Sequence, residues 1–149
     1  MALQFTANKF GPYADKLRFL LDKLDGSYLH SEKRLADAKP LDTIRFEDAM
    51  AGRLRDYFAS EEGALYRPAL DSATAVIEGF ESPYGMELLA TVDWLVHEEK
   101  VAPTVAAVRD GLARWPAGRT AAIRKERLFD DRVLDLALER LAEALPQRA

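Results

Sequence analysis

The chain has 149 residues, of which 48% are hydrophobic and 31% are charged, and it carries a net charge of -4. These values are typical of one soluble globular domain, large enough to bury a core, and they exclude a disordered chain. The sequence contains no cysteine and only two histidines. This excludes disulfides, thiol chemistry and cysteine-based zinc sites, and leaves little for any other metal site.

No stretch approaches the roughly 20 uncharged apolar residues that a membrane-spanning helix needs. The first nine residues also lack the basic and apolar pattern of a signal peptide. We therefore expect a cytoplasmic protein that does not contact a membrane.

The first part of the chain predicts a short strand followed by a helix. Apolar and polar residues alternate from Leu3 to Ala7, which indicates a strand or an extended arm. A turn at Phe10–Tyr13 then leads into a helix, because leucines recur at helical spacing up to Leu24. Gly26 is expected to end this helix as a C-cap. The next stretch, Ser27–Ile44, shows no sustained period and is predicted to be irregular.

Two amphipathic helices are predicted before the middle of the chain. Asp42 or Thr43 could cap the first, which is expected to close at Glu61–Gly63. The second extends over Leu65–Phe80. The inner face of the first is expected to carry Phe46, Met50, Leu54 and Phe58.

The central helix is predicted to begin near Met86, after the break at Ser82–Gly85. It is apolar nearly all round, so we expect neighbouring helices to bury it. Asp93 and His97 lie one turn apart on one side of it and can pair. We interpret them as a partly buried polar contact; a catalytic role would require a nucleophile or a metal nearby.

The last third predicts three more helices. One begins at Pro103 and ends near Trp115, a shorter basic one follows over Thr120–Phe129, and Asp130 can cap the last. The predicted fold is all-α, or mainly α with a short N-terminal strand or hairpin: a compact bundle of about six helices. We expect residues 1–149 to form a single helical domain.

Charge is distributed unevenly along the chain. Ala64–Val105 contains two basic and seven acidic residues, whereas Ala106–Ala149 contains nine and seven. The acidic block argues against direct nucleic-acid binding by the middle helices and suits a basic partner. A group of basic residues lies in the last third of the chain: Arg119, Arg124, Lys125, Arg127 and Arg132. This group could either face nucleic acid or form a salt-bridge network with Glu126, Asp130 and Asp131, and we favour the network.

The sequence shows no pattern typical of catalysis. Both common types of glycine-rich phosphate loop are absent, and paired carboxylates occur at helix ends, where capping explains them. We predict no catalytic residue, no bound metal and no cofactor. Taken alone, the residues predict a helical interaction domain with an acidic centre.

Three stretches together resemble the C-terminal domain of DarG antitoxins, which in that family follows a macrodomain. They are FGPYADKLRFLLDKLDGSYLH at Phe10–His30, IEGFESPYGMELLATVDWLV at Ile77–Val96, and RKERLFDDRVLDLALERL at Arg124–Leu141. The combination of GPYA with GFESPYGMELL carries the resemblance, which extends over almost the whole chain in order.

The resemblance implies a partner and a mode of inhibition. DarG proteins neutralise DarT toxins, which use NAD to attach ADP-ribose to single-stranded DNA. The macrodomain removes this modification, and the C-terminal domain binds the toxin as an acidic mimic of DNA. Since we expect no macrodomain in this chain, we predict that it is not an enzyme.

The residues expected to contact the toxin fall into two groups. One lies in the irregular stretch and the other around the proline turn; we expect carboxylates around an aromatic anchor. The candidates are Glu32, Asp37, Asp42, Glu78, Glu81, Tyr84 and Glu87. Phe10, Tyr13 and Tyr28 are instead assigned to the core. The alternative function is a stand-alone helical adaptor with a different partner.

Overall fold

A computed structural model describes residues 3–32 and 42–144 of the chain. Within these residues the fold is mainly helical, with eight α-helices and two short antiparallel strand pairs. The elements in order are β1 Thr6–Asn8, β2 Gly11–Tyr13, α1 Asp15–Leu24, β3 Leu29–Ser31, β4 Ile44–Phe46, a 3-10 helix at Asp48–Met50, α2 Ala51–Ala59, α3 Glu61–Ala64, α4 Arg67–Ile77, α5 Pro83–His97, α6 Val105–Ala113, α7 Arg119–Leu128 and α8 Asp131–Ala144.

The chain divides into two compact units. The first unit contains the described residues of 1–5 and 14–68, and the second unit contains residues 6–13 with the described residues of 69–149. The large buried side chains of the apolar core all belong to the second unit. They include Leu88, Leu89, Val92, Leu95, Val108, Leu112, Trp115, Phe129, Leu134 and Leu141.

The central helix α5 is buried as predicted. Leu88, Val92 and Leu95 are at most 2% exposed. The helix begins at Pro83, three residues before the predicted start, because the Ser82 hydroxyl accepts a hydrogen bond from the Gly85 N–H (3.0 Å). Serine as N-cap with proline in the first turn is a common helix start, so the break itself is the first turn of α5.

The N-terminal hairpin β1–β2 is fixed to the core of the second unit. Thr6 pairs with Tyr13 in the antiparallel register, and the Trp115 indole N–H donates to the Asn8 carbonyl (2.9 Å). The expected strand therefore exists, although it lies slightly later in the chain. The predicted cap of the last helix is also confirmed, since the Asp130 carboxylate accepts from the Val133 N–H (3.0 Å).

The first unit contains α1, the hairpin β3–β4, the 3-10 helix, α2 and α3, and none of their large apolar side chains is buried. Helix α1 ends at Leu24, close to the predicted stop, but Asp25 is its C-cap; Gly26 (φ 76°) donates its N–H to the Leu29 carbonyl (2.9 Å) and not to the end of α1. The leucines that recur at helical spacing in α1 are not enclosed, since Leu20 is 36% exposed.

The prediction of a helix capped by Asp42 or Thr43 is wrong. Residues Ile44–Phe46 form a strand that pairs with Leu29–Ser31, and Phe46 is 43% exposed. The helical conformation begins only after Glu47, whose carboxylate accepts a hydrogen bond from the Ala49 N–H. The stretch Ser27–Ile44 therefore holds parts of a hairpin, because a β-branched and an aromatic residue at Ile44 and Phe46 favour strand pairing.

Two further expectations need correction. Glu61–Gly63 does not close a helix: α2 ends at Ala59, and Ser60 caps the short helix α3 through the Gly63 N–H (3.2 Å). Phe10 is not a core residue, since it is 44% exposed and the Arg124 guanidinium lies 4.8 Å from its ring centroid. The ring serves as a platform for a cation.

Candidate interaction site

The turn between α4 and α5 is built by its own sequence, GFESPYG. Gly79 has a φ of 81°, a left-handed conformation that glycine adopts without strain. Gly85 is required for a different reason: a Cβ at this position would lie 2.5 Å from the Phe80 carbonyl oxygen. With the Ser82 cap and Pro83, these residues fix the entry of the chain into α5.

Arg140 of α8 holds the other side of this turn. Its guanidinium donates hydrogen bonds to the carbonyl oxygens of Ala75 (3.0 Å) and Glu78 (2.5 Å) and lies over the Phe80 ring, 5.4 Å from its centroid. The last carbonyl groups of a helix lack partners within the helix, so a cation placed there satisfies them and opposes the helix dipole. The turn is therefore clamped against α8.

Two of the predicted carboxylates, Glu78 and Glu81, lie exposed on this turn. Backbone N–H groups of Glu81 and Gly79 donate to the Glu81 carboxylate and lower its pKa, and the charge of Arg140 acts in the same direction. Glu81 is thus held in its charged form. The turn presents two negative charges on a backbone that packing has fixed.

Tyr84 lies at the start of α5 and is 41% exposed. Its hydroxyl donates to the Leu128 carbonyl (2.9 Å), and its ring meets Phe129 edge-on with centroids 5.6 Å apart. Burial raises the pKa of the hydroxyl, and the nearby Asp130 charge adds to this. One side of the predicted aromatic anchor is therefore committed to the fold, while the rest of the side chain is accessible.

Glu87 is placed differently from the other candidates, because its carboxylate pairs within the chain. Arg124 binds it in a bidentate manner (2.5 and 2.9 Å), and the Lys125 ammonium lies 2.9 Å from Oε1. Its side chain is only 10% exposed. Burial alone would raise the pKa of Glu87, but the hydrogen bonds from Arg124 and Lys125 outweigh it and lower the pKa.

Lys125 is the unexpected member of this cluster, since it is fully buried. Its ammonium donates to Glu87 and to the Thr91 hydroxyl (2.9 Å), and it lies 4.7 Å from the Trp115 ring centroid and 5.6 Å from that of Phe129. Burial lowers its pKa, and the Glu87 carboxylate opposes this only in part. The cluster joins α7 to α5 by charge.

This placement corrects the interpretation of the basic run at residues 119–132. Lys125 belongs to the core, and the partner of Arg124 is Glu87 on another helix rather than an acidic neighbour in sequence. Sequence did contain a signal for the cluster. Glu87 and Thr91 are two of the polar residues of a largely apolar, buried helix and lie one turn apart, and a buried carboxylate requires a cation.

The remaining candidates belong to the first unit. Glu32 follows β3 and Asp42 precedes β4, and since Ser31 pairs with Ile44, both lie at the same end of this hairpin. Glu32 is exposed and Asp42 is half-buried. Asp37 lies outside the described residues. The structure thus brings Glu78, Glu81 and Tyr84 together in one place, and Glu32 and Asp42 in another.

The predicted contact between Asp93 and His97 is confirmed. His97 Nδ1 lies 2.9 Å from Asp93 Oδ1 and 3.1 Å from the Asp93 carbonyl oxygen. Across residues 3–32 and 42–144, no three metal-ligating side chains are close enough together to hold a metal ion. In the same residues, no helix has the length and apolar character needed to span a membrane.

Comparison with known proteins connects this geometry to a family. No family profile matches the chain. Over 152 residues it is 34% identical to DNA ADP-ribosyl glycohydrolases of Mycobacterium tuberculosis and Mycobacterium bovis, an alignment that covers 95% of this chain and 39% of each relative. The chain is homologous to a portion of the DarG-type DNA ADP-ribosyl glycohydrolases.

A third relative is matched over a shorter part of this chain. The DNA ADP-ribosyl glycohydrolase of Thermus aquaticus is 34% identical over 119 residues, which represent 77% of this chain and 30% of the relative. The chain therefore spans about two-fifths or less of the length of these DarG relatives.

Proposed function

We propose that this chain is the toxin-binding domain of a DarG-type antitoxin and that it neutralises a DarT-type DNA ADP-ribosyltransferase by covering its DNA-binding surface. The observation that carries the proposal is the homology over 95% of the chain to part of DarG relatives. The exposed acidic turn of the second unit supports it. A toxin that grips DNA needs a basic groove, and a turn with fixed negative charges complements such a groove.

The motif that carries the resemblance supports a division of labour within the turn. Gly79, Ser82 and Gly85 shape the backbone, and Glu87 holds two cations. Glu78 and Glu81 are exposed, and the contacts of the Glu81 carboxylate are with backbone N–H groups of the turn itself. We assign toxin contact to Glu78, Glu81 and the accessible part of Tyr84, and we add the hairpin-end carboxylates Glu32 and Asp42. Asp37 remains a candidate.

Charge reversal tests this assignment directly. The double variant Glu78→Lys, Glu81→Lys should slow association with a DarT-type toxin about tenfold or more at low salt, and the loss should shrink as salt is raised. A matched control, Glu98→Lys with Asp110→Lys, changes the charge equally at two other exposed positions. If the double variant associated as fast as the unaltered chain at low salt, the acidic turn would not contact the toxin as proposed.

Competition with DNA tests the mode of inhibition. If the chain covers the DNA-binding surface, it and single-stranded DNA should exclude each other from the toxin, so that raising the DNA concentration weakens antitoxin binding in proportion. A ternary complex of toxin, DNA and this chain, with both ligands at full affinity, would mean that the chain acts at a different surface.

The proposal also assigns the described residues to toxin binding alone, and so predicts that they have no hydrolase activity of their own. Incubation of the purified chain with ADP-ribosylated oligonucleotide should leave the modification in place. Release of free ADP-ribose, followed by chromatography, would contradict this.

A further inference from the structure

The first unit exposes many large apolar side chains. Leu65 is 78%, Phe19 is 68% and Tyr66 is 57% exposed, and Ile44, Phe46 and Tyr57 are between 37% and 43% exposed. These six residues are here called the exposed apolar set. Single exposed apolar residues are normal on a protein surface, whereas larger groups of them are typical of interaction sites.

The backbone of this unit is nevertheless organised. The Tyr28 N–H donates to the Leu24 carbonyl at the end of α1 (3.0 Å), and the Glu47 N–H donates to the Tyr28 carbonyl (2.9 Å). The glycine in α3 is also closely packed, since a Cβ on Gly63 would lie 2.0 Å from the Tyr57 carbonyl oxygen. The exposed apolar set is therefore displayed by defined turns and helices, whose hydrogen bonds are made while their apolar faces lack cover.

Charge indicates what kind of partner fits. The described residues of the first unit carry ten acidic and seven basic side chains, and the predicted contacts Glu32 and Asp42 are among the acidic ones. Nucleic acid and anionic lipid would both be repelled by this balance. A second copy of the chain would bring together two molecules with a net charge of -4 each. A protein groove that is basic and also offers flat apolar faces, as a groove that binds DNA bases does, matches both properties.

We propose that the first unit is the apolar anchor for the toxin, and that α1, α2 and α3 complete their packing against it. The inference rests on the proposed function and adds a second contact region to the acidic turn. Aromatic and large apolar side chains at the centre of an interface carry most of the binding energy. An anchor of this kind acts on dissociation, whereas the acidic turn acts on association.

The test uses full-length chain with Phe19→Asn and Leu65→Asn combined, and Leu136→Asn as the matched control. Leu136 lies on α8 in the second unit and is 46% exposed. The double variant should weaken toxin affinity about 100-fold, mainly through faster dissociation and with little dependence on salt. The control should change the affinity less than about threefold, and both variants should keep the thermal midpoint of the free chain because the replaced side chains are exposed.

A second measurement follows the packing itself. On addition of toxin, amide hydrogen exchange in α1 and α2 should slow by a larger factor than exchange in α6 and α8, because α6 and α8 are already enclosed in the free chain. Unchanged affinity and unchanged exchange, with toxin binding intact, would overturn the anchor and leave the proposed function standing. Failure of the unaltered chain to bind any DarT-type toxin would remove the proposed function and the anchor with it.

Light scattering tests the other possible occupant of the exposed apolar set, a second copy of this chain. The free chain should be a monomer at micromolar concentration. The proposal would be overturned if the unaltered chain were a dimer and the Phe19→Asn, Leu65→Asn variant a monomer. The exposed apolar set would then be an interface between copies of this chain.

Discussion

Helices α5 and α1 show how differently the two units of this chain use apolar residues. Both helices carry leucines at helical spacing. In α5 of the second unit, Leu88 and Leu95 are 2% and 1% exposed, whereas in α1 of the first unit Leu20 and Leu24 are 36% and 39% exposed. Helical spacing establishes which side of a helix is apolar, but it does not establish what covers that side. Among the described residues, the second unit covers the leucines of α5, whereas the first unit leaves those of α1 partly exposed.

The polar contacts differ in the same way. The second unit encloses Lys125 and Thr91 and largely covers Glu87, so two helices are joined by a charge pair that is mostly shielded from water. The first unit has an ion pair between His30 and Glu47 at 2.8 Å, but both side chains are more than one-third exposed. Solvent screens an exposed pair and leaves it little net effect on stability, while a buried pair is costly to break.

The largest effect is therefore expected from breaking the buried pair. Glu87→Gln leaves the enclosed Lys125 without a counter-charge and should lower the free energy of unfolding by about 3 to 5 kcal/mol, measured by urea denaturation. Adding Lys125→Met should restore much of this loss, because the buried charge is then gone. A loss of less than about 1 kcal/mol in Glu87→Gln would mean that the cluster does not hold α7 to α5.

A leucine in each unit gives a matched pair with the next largest effect. Leu88→Ala empties part of an enclosed core and should cost about 2 to 5 kcal/mol of unfolding free energy. Leu65→Ala removes the same atoms from a side chain that is 78% exposed and should stay within about 0.5 kcal/mol. Equal losses in the two variants would show that the first unit encloses Leu65 in solution, which would remove the contrast between the units.

Much of the second unit could be predicted from sequence because its signals are local. The broad apolar surface of α5, the Asp130 cap and the Asp93–His97 contact all follow from residue spacing within one helix. What the sequence did not predict depends on pairing between distant segments. Lys125 looked like a surface cation until the fold brought it to Glu87, 38 residues away.

The first unit was harder to predict because its strands are short and pair across a gap in sequence. Ile44–Phe46 becomes a strand only because Leu29–Ser31 lies beside it, and the helical spacing that continues to Phe58 concealed this. The candidate site followed the same rule. Glu78 and Glu81 were found from a local proline turn, whereas the clamp by Arg140 required the position of α8.

Lowering the pH tests how much of the pH-dependent stability comes from Glu87 in the second unit. The folded pKa of Glu87 is lowered from its ordinary value of 4.5. The ionised Glu87 carboxylate therefore contributes fully to the free energy of unfolding above pH 4.5, and this contribution is lost as the pH falls through the lowered pKa. Thermal midpoints measured from pH 6 to pH 3 should fall less steeply in Glu87→Gln than in the unaltered chain. The effect is smaller than outright removal, since a protonated glutamate can still accept hydrogen bonds.

The smallest effect on stability is expected from removing one tyrosine hydroxyl in each unit. Tyr84→Phe removes the hydrogen bond to the Leu128 carbonyl while keeping the edge-on contact with Phe129, so it should cost about 1 kcal/mol of unfolding free energy. Tyr66→Phe in the first unit, at a side chain that is 57% exposed, should change it by less than about 0.5 kcal/mol. If Tyr66→Phe cost as much as Tyr84→Phe, the first unit would be held by contacts of the same kind as the second. Toxin affinity separates the roles of Tyr84, because a ring that contacts the toxin survives this substitution and a hydroxyl that contacts it does not.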